Sequence, residues 1–92
     1  MLPNHPHPLD ELGRFTEVTG KASSITYAVE WCETCHAAYK RPVAYEDGLR
    51  WTPEEREAAR RQGREDWHKC LMALRERRRR AEQAAAVSEQ TG

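Results

Sequence analysis

The sequence predicts a small α+β fold: a zinc-stapled β-hairpin of zinc-ribbon or knuckle type, packed on a long C-terminal helix. Three observations predict it. A stretch with period-2 apolar alternation, residues 23–31, runs straight into Cys32-Glu33-Thr34-Cys35-His36. A strong helix start, Thr52-Pro53-Glu54-Glu55, opens a long run of good helix formers. Large apolar side chains are scarce: 38% of the 92 residues are hydrophobic against 33% charged, with a mean hydropathy of -0.96. Domains below about 70–80 residues commonly need a metal, disulfides or a partner to supplement such a core. The ordered part of this chain is expected to lie near that size, because both ends read as tails.

Taken in order, residues 1–20 read as an extended N-terminal tail. Three prolines within the first eight residues exclude a helix there. His5 and His7 are solvated tail residues on this reading, with at most a loose hold on a metal. Leu12, Phe15 and Val18 can pack a short turn onto the core, and Gly20 ends the segment. The core domain spans residues 21–74. In its first strand Ile25, Tyr27, Val29 and Trp31 share one face, and Ser24, Thr26, Ala28 and Glu30 the other. The turn at residues 32–35 reverses the chain into a return strand over about residues 37–45. Pro42 makes that strand short, bulged or an edge. Glu46-Asp47-Gly48 is a turn signal.

The helix begins with Thr52 as cap, Pro53 in the first helical position and Glu55 completing a capping box. Gly63 leaves two readings open. It ends a first helix, with Asp66 capping a second, or one helix passes through it at a cost of about 1 kcal/mol. Gly63 lies four residues before Trp67 on one helix face, where a missing side chain lets a strand approach closely. Trp67, Cys70, Leu71 and Leu74 form the apolar stripe, and Arg77 and Arg78 interrupt it. Packing is therefore expected to end near Leu74. Residues 75–92 are expected to be a basic helical extension that projects or frays into a disordered tail.

The CxxC pair sets the chemistry. Two thiols two residues apart can chelate one ion from one tight turn. The N-terminus has no basic segment followed by an apolar one, and no stretch approaches about 18 apolar residues. The expected compartment is therefore the cytoplasm, or the host cytoplasm for a phage-encoded chain. Its reducing conditions favour metal ligation over a disulfide, and three cysteines cannot all pair within one chain. The expected cofactor is zinc, and the expected ligands are Cys32, Cys35, Cys70 and His68. Residues two apart on a regular helix point about 200° from each other, so His68 and Cys70 can serve one ion only where the helix is irregular. His36 and Asp66 are the other candidates for the fourth position. Two further readings of the motif carry less weight. Cys32 to His36 matches the C-x-x-C-H haem attachment pattern of a c-type electron carrier, but no export signal accompanies it. A thioredoxin-like dithiol would need a βαβ unit, and none is visible.

Net charge is zero, yet Arg75, Arg77, Arg78, Arg79 and Arg80 form a dense basic run. It can contact nucleic-acid phosphates or a protein partner, or it can be a solvated face offset by Glu54, Glu55, Glu57, Glu65, Asp66 and Glu76. Trp31 and Trp67 are expected to shield the metal. No catalytic constellation is present. The expected function is a non-enzymatic, zinc-stabilised binding module, a small regulator or accessory subunit acting through its basic helix. A structural component of a larger assembly such as a phage particle is the alternative.

The order of strand, Cys32-x-x-Cys35 knuckle, return strand and Arg/Ala-rich helix, over about residues 23–74, resembles the small zinc-binding proteins of uncharacterised function found in actinobacteria and their phages. The resemblance implies a zinc-stabilised binding module and supplies no reaction.

Overall fold

The computed structural model describes the backbone of residues 6–91 and the side chains as far as residue 85. Strand β1 spans Asp10–Val18, β2 Ser24–Cys32 and β3 Ala37–Glu46, and helix α1 spans Pro53–Thr91. The strands form one antiparallel sheet in the order β1-β2-β3. The helix packs chiefly on β1 and barely on β2. The architecture is therefore α+β, a three-stranded sheet on one long helix.

The expected hairpin thus gains a third strand. Residues 10–18, expected within an N-terminal tail, form β1 and pair with β2 along its length. The three-residue spacing of Leu12, Phe15 and Val18 disguised it. The ladder slips between Glu11 and Gly13, making Leu12 the extra residue of a β-bulge. The bulge resets the alternation, so Leu12 and Phe15 both reach the core side although their spacing is odd. Strand β3 lies at the sheet edge, as Pro42 requires. It carries a second bulge, with Pro42 opposite Tyr27 and Ala44 opposite Thr26.

The helix start is a reciprocal capping box. Thr52 N–H donates to Glu55 Oε1 at 3.1 Å, and Glu55 N–H donates to Thr52 Oγ1 at 3.1 Å. These bonds satisfy two backbone donors that the first turn otherwise leaves unpaired. The helix passes through Gly63 without a break and continues to Thr91.

Its course over the sheet is a ladder of its own. At Gly63 a side-chain carbon would stand 2.3 Å from the Thr16 carbonyl oxygen, and at Gly13 one would stand 3.0 Å from Cys70 Sγ. Between these points the Trp67 and Phe15 rings meet with centroids 4.8 Å apart. One level beyond, Arg77 bonds Asp10. The helix therefore runs antiparallel to β1, and each seven-residue step on α1 (63, 70, 77) answers a three-residue step on β1 (16, 13, 10). Seven helical residues rise about 10.5 Å and three strand residues about 10 Å, so the two repeats stay in phase.

Strand pairing puts Gly13, Phe15, Tyr27, Val29 and Trp31 on the helix-facing side. The core there is Phe15, Val29 and Cys70, with Leu12 and Tyr27 at its margin. Phe15 and Tyr27 stack across strands at 5.3 Å, and Lys40 Nζ lies 4.4 Å from the Tyr27 centroid. The opposite side is polar. Thr16 and Thr26 share a 2.8 Å hydrogen bond, and the Arg41 guanidinium donates to the nearly buried Glu30 carboxylate at 2.8 Å.

Candidate metal centre

Strand alternation decides which thiols can meet. Trp31 faces α1, so its neighbour Cys32 projects to the polar side. Cys32 is wholly buried there. Cys32 and Ala37 close the β2–β3 ladder around a four-residue turn. Within the turn His36 N–H donates to the Cys32 carbonyl at 2.9 Å, and His36 takes a left-handed φ of 53°. A non-glycine residue in that region costs about 1–2 kcal/mol, so the turn is held tight by its surroundings. The tight turn also brings Cys35 N–H to Cys32 Sγ at 3.3 Å.

The third donor comes from the N-terminal segment. His7 Nδ1 lies 3.4 Å from Cys35 Sγ, and the ligand atoms of His7, Cys32 and Cys35 all lie within 4.8 Å of one another. Ligand atoms bound to one tetrahedral zinc sit about 3.5–3.8 Å apart, given zinc–sulfur bonds near 2.3 Å and zinc–nitrogen bonds near 2.0 Å. The His7–Cys35 edge, at 3.4 Å, is close to that separation, and the other two edges lie within 4.8 Å. The donor set of two sulfurs and one imidazole fits a metal ion. The Cys35 thiol pKa is pushed up, first by its hydrogen bond with Cys32, then by desolvation and the Cys32 charge, with a hydrogen bond from Tyr39 opposing. The Tyr39 hydroxyl is pushed up by desolvation and then by the Cys35 charge. Two crowded sulfurs that resist joint ionisation are the arrangement a cation relieves.

The helix residues expected as ligands lie elsewhere. Cys70 is buried in the Phe15 and Val29 cluster, on the other side of the sheet from Cys32. Its thiol is raised by burial, then by Asp66 and Glu11, as for an inert core cysteine. His68 is exposed and stands outside the group of donors. Asp66 accepts a hydrogen bond from Gln62 at 3.0 Å, and His36 stacks on Trp31 at 6.4 Å. Trp67 covers Phe15 rather than the metal cluster. His5 lies outside the described residues. The donor missed in the sequence is His7; its signal was the histidine-rich lead-in to β1, and its obstacle was the tail assignment.

Neither of the other readings of the CxxC pair gains from the geometry. Thioether attachment of haem needs both sulfurs at a porphyrin edge, and Cys32 is 0% exposed. A thioredoxin-like dithiol accompanies a βαβ unit, and the three strands here are antiparallel.

The basic run is largely answered by carboxylates. Arg77 bonds both Asp10 and Glu33, at 3.2 and 2.9 Å. Arg79 and Arg80 both bond Glu76. Arg75 and Arg78 are exposed. Arg78 borders a cleft of about 300 Å³ between the hairpin turn and the second half of α1, shared with Trp31, His36, Ala81, Glu82 and Ala85. No helix among the described residues is long and apolar enough to cross a membrane. No family model matches the chain, and no curated protein or solved structure does.

Proposed function

We propose that this chain is a non-enzymatic binding module, stapled by zinc at His7, Cys32 and Cys35, that offers the second half of α1 to a protein partner. The observation that carries the reading is the convergence of those three donors from segments 28 residues apart. An ion there would close a loop containing β1 and β2. The fold gains from such a closure, because its fully buried side chains are few: Trp31, Cys32 and Cys70 are the largest. Soft sulfur with imidazole favours zinc over magnesium or calcium, and a tetrahedral ion takes its fourth donor from water, from another part of the chain or from the partner.

A protein partner is favoured over nucleic acid by the carboxylates that already engage Arg77, Arg79 and Arg80. The balance of acidic and basic residues, 15 of each, points the same way. Metal analysis of the purified chain is the test, with an expected content of about one zinc per chain. A chain that folds fully in the presence of a strong chelator, with no bound metal beforehand, overturns the reading. Salt-dependent DNA or RNA binding that weakens on replacing Arg75 and Arg78 by alanine would return the helix to the nucleic-acid class. Co-purification with one stoichiometric partner into a large particle would favour a structural component of an assembly.

A further inference from the structure

Two of the metal donors, His7 and Cys35, lie beyond the paired strands, while Cys32 ends β2. The β1–β2 ladder begins at Asp10 opposite Trp31, so His7 lies ahead of the first paired residue. Cys35 lies within the turn beyond the last β2–β3 pair. Besides the His7–Cys35 contact itself, one side chain of the helix reaches both pieces. Arg77 Nη1 donates to Asp10 Oδ2, three residues after His7, and to Glu33 Oε1, between the two cysteines. Asp10 and Glu33 would repel each other without it. Arg77 is 28% exposed, whereas Arg79 and Arg80 are 61% and 66% exposed. It is also the last rung of the α1–β1 contact, since the helix beyond it faces the open cleft beside Trp31 and His36.

We propose that Arg77 is a positioning residue for the metal centre, holding the His7 segment and the CxxC turn in register and so coupling metal occupancy to docking of the second half of α1. This rests on the reading of His7, Cys32 and Cys35 as ligands. Arg77 touches no donor atom; it acts through Asp10 and Glu33. Each pair alone, with carboxylates 57% and 61% exposed, would contribute little. A single guanidinium shared by two chain segments instead reduces the freedom the donors lose on binding. Linkage makes the effect mutual: the factor by which docked Arg77 raises metal affinity is the factor by which bound metal favours docking.

The test is zinc affinity, by competition with a chromogenic chelator, together with amide exchange over residues 78–85 in metal-free and zinc-loaded full-length chain. Arg77→Ala is expected to weaken zinc binding about tenfold, as loss of a group supporting metal ligands does. Arg77→Lys is expected to recover part of the loss. Glu33→Gln, in the exposed turn, is expected to act in the same direction with a smaller effect and no burden on folding. Zinc should slow exchange over residues 78–85 in the native chain and lose that effect in Arg77→Ala. Unchanged zinc affinity in both Arg77→Ala and Glu33→Gln overturns the proposal and leaves the metal site standing. A native chain that binds no zinc overturns both.

Discussion

Cys32 and Cys70 are equally hidden from solvent, yet the sheet between them gives them opposite chemistries. Cys70 lies on the helix side among Phe15, Val29 and the bare backbone of Gly13, where its sulfur is a small apolar group. Cys32 lies on the other side at the end of a strand. It has a backbone N–H aimed at its sulfur and is grouped with a second thiol and an imidazole. Burial alone does not mark a ligand. What separates the two is the parity of a strand: Trp31 points toward α1, so Cys32 must point away.

The largest expected effect breaks that comparison directly. Cys35→Ser should abolish stoichiometric zinc binding, while Cys70→Ala should leave zinc content unchanged and lower stability by about 1–2 kcal/mol through the cavity it leaves. Metal analysis and chemical denaturation of the two variants check both statements. Loss of zinc from Cys70→Ala would place the two cysteines in one site after all.

On the helix side, Gly63→Ala sets two effects against each other. Alanine gains about 1 kcal/mol in helix propensity, but its methyl would meet the Thr16 carbonyl oxygen at 2.3 Å. That neighbour is backbone, so the strand or the helix must move. A net loss of about 2 kcal/mol is expected, or roughly 10 °C in Tm, and a thermal scan that shows a rise would deny the close approach. Thr52→Ala removes one half of the capping box and should cost about 1 kcal/mol, with m-value unchanged in urea.

The smallest effect concerns acid. The Arg79 hydrogen bond, with Arg80 adding to it against partial desolvation, holds the Glu76 carboxyl below its ordinary value near 4.5. A depressed carboxylate stabilises the folded state above its ordinary pKa, and the contribution disappears as pH falls through the depressed value. The second half of α1 should therefore lose helicity on acidification before the Phe15–Trp67 contact loosens. Far-ultraviolet circular dichroism and tryptophan emission, followed together, separate the two events. Coincident transitions would mean that both halves of α1 melt as one unit.

Local signals carried most of the fold. The alternation of residues 25–31, the Thr52 to Glu55 capping box, the edge placement of Pro42 and the close approach at Gly63 were legible because each depends on a few neighbouring residues. Strand β1 was not, because a bulge at Leu12 erased its period. The CxxC turn was legible as part of a group able to hold a metal ion, and the separation of Cys70 from it was available from the alternation that identified β2. Ligands assigned by proximity to an apolar stripe ignored which side of the sheet that stripe covers. The third donor, His7, depends on where a proline-rich lead-in returns to, which no local pattern specifies. Arg77 broke an apolar stripe in the sequence and so looked like the end of packing. Its two carboxylate partners, Asp10 and Glu33, lie far from it along the chain.

The seven-against-three match between α1 and β1 behaves like a vernier scale, in which two rulers of different graduation coincide only at set marks. Gly63 with Thr16, Cys70 with Gly13 and Arg77 with Asp10 are those marks. One residue inserted between Gly63 and Cys70 would turn everything beyond it by about 100° and carry Cys70 and Arg77 off their marks together. Insertions and deletions between Gly63 and Arg77 are therefore felt at the far end of the sheet, where Arg77 meets Asp10 and the His7, Cys32 and Cys35 group lies.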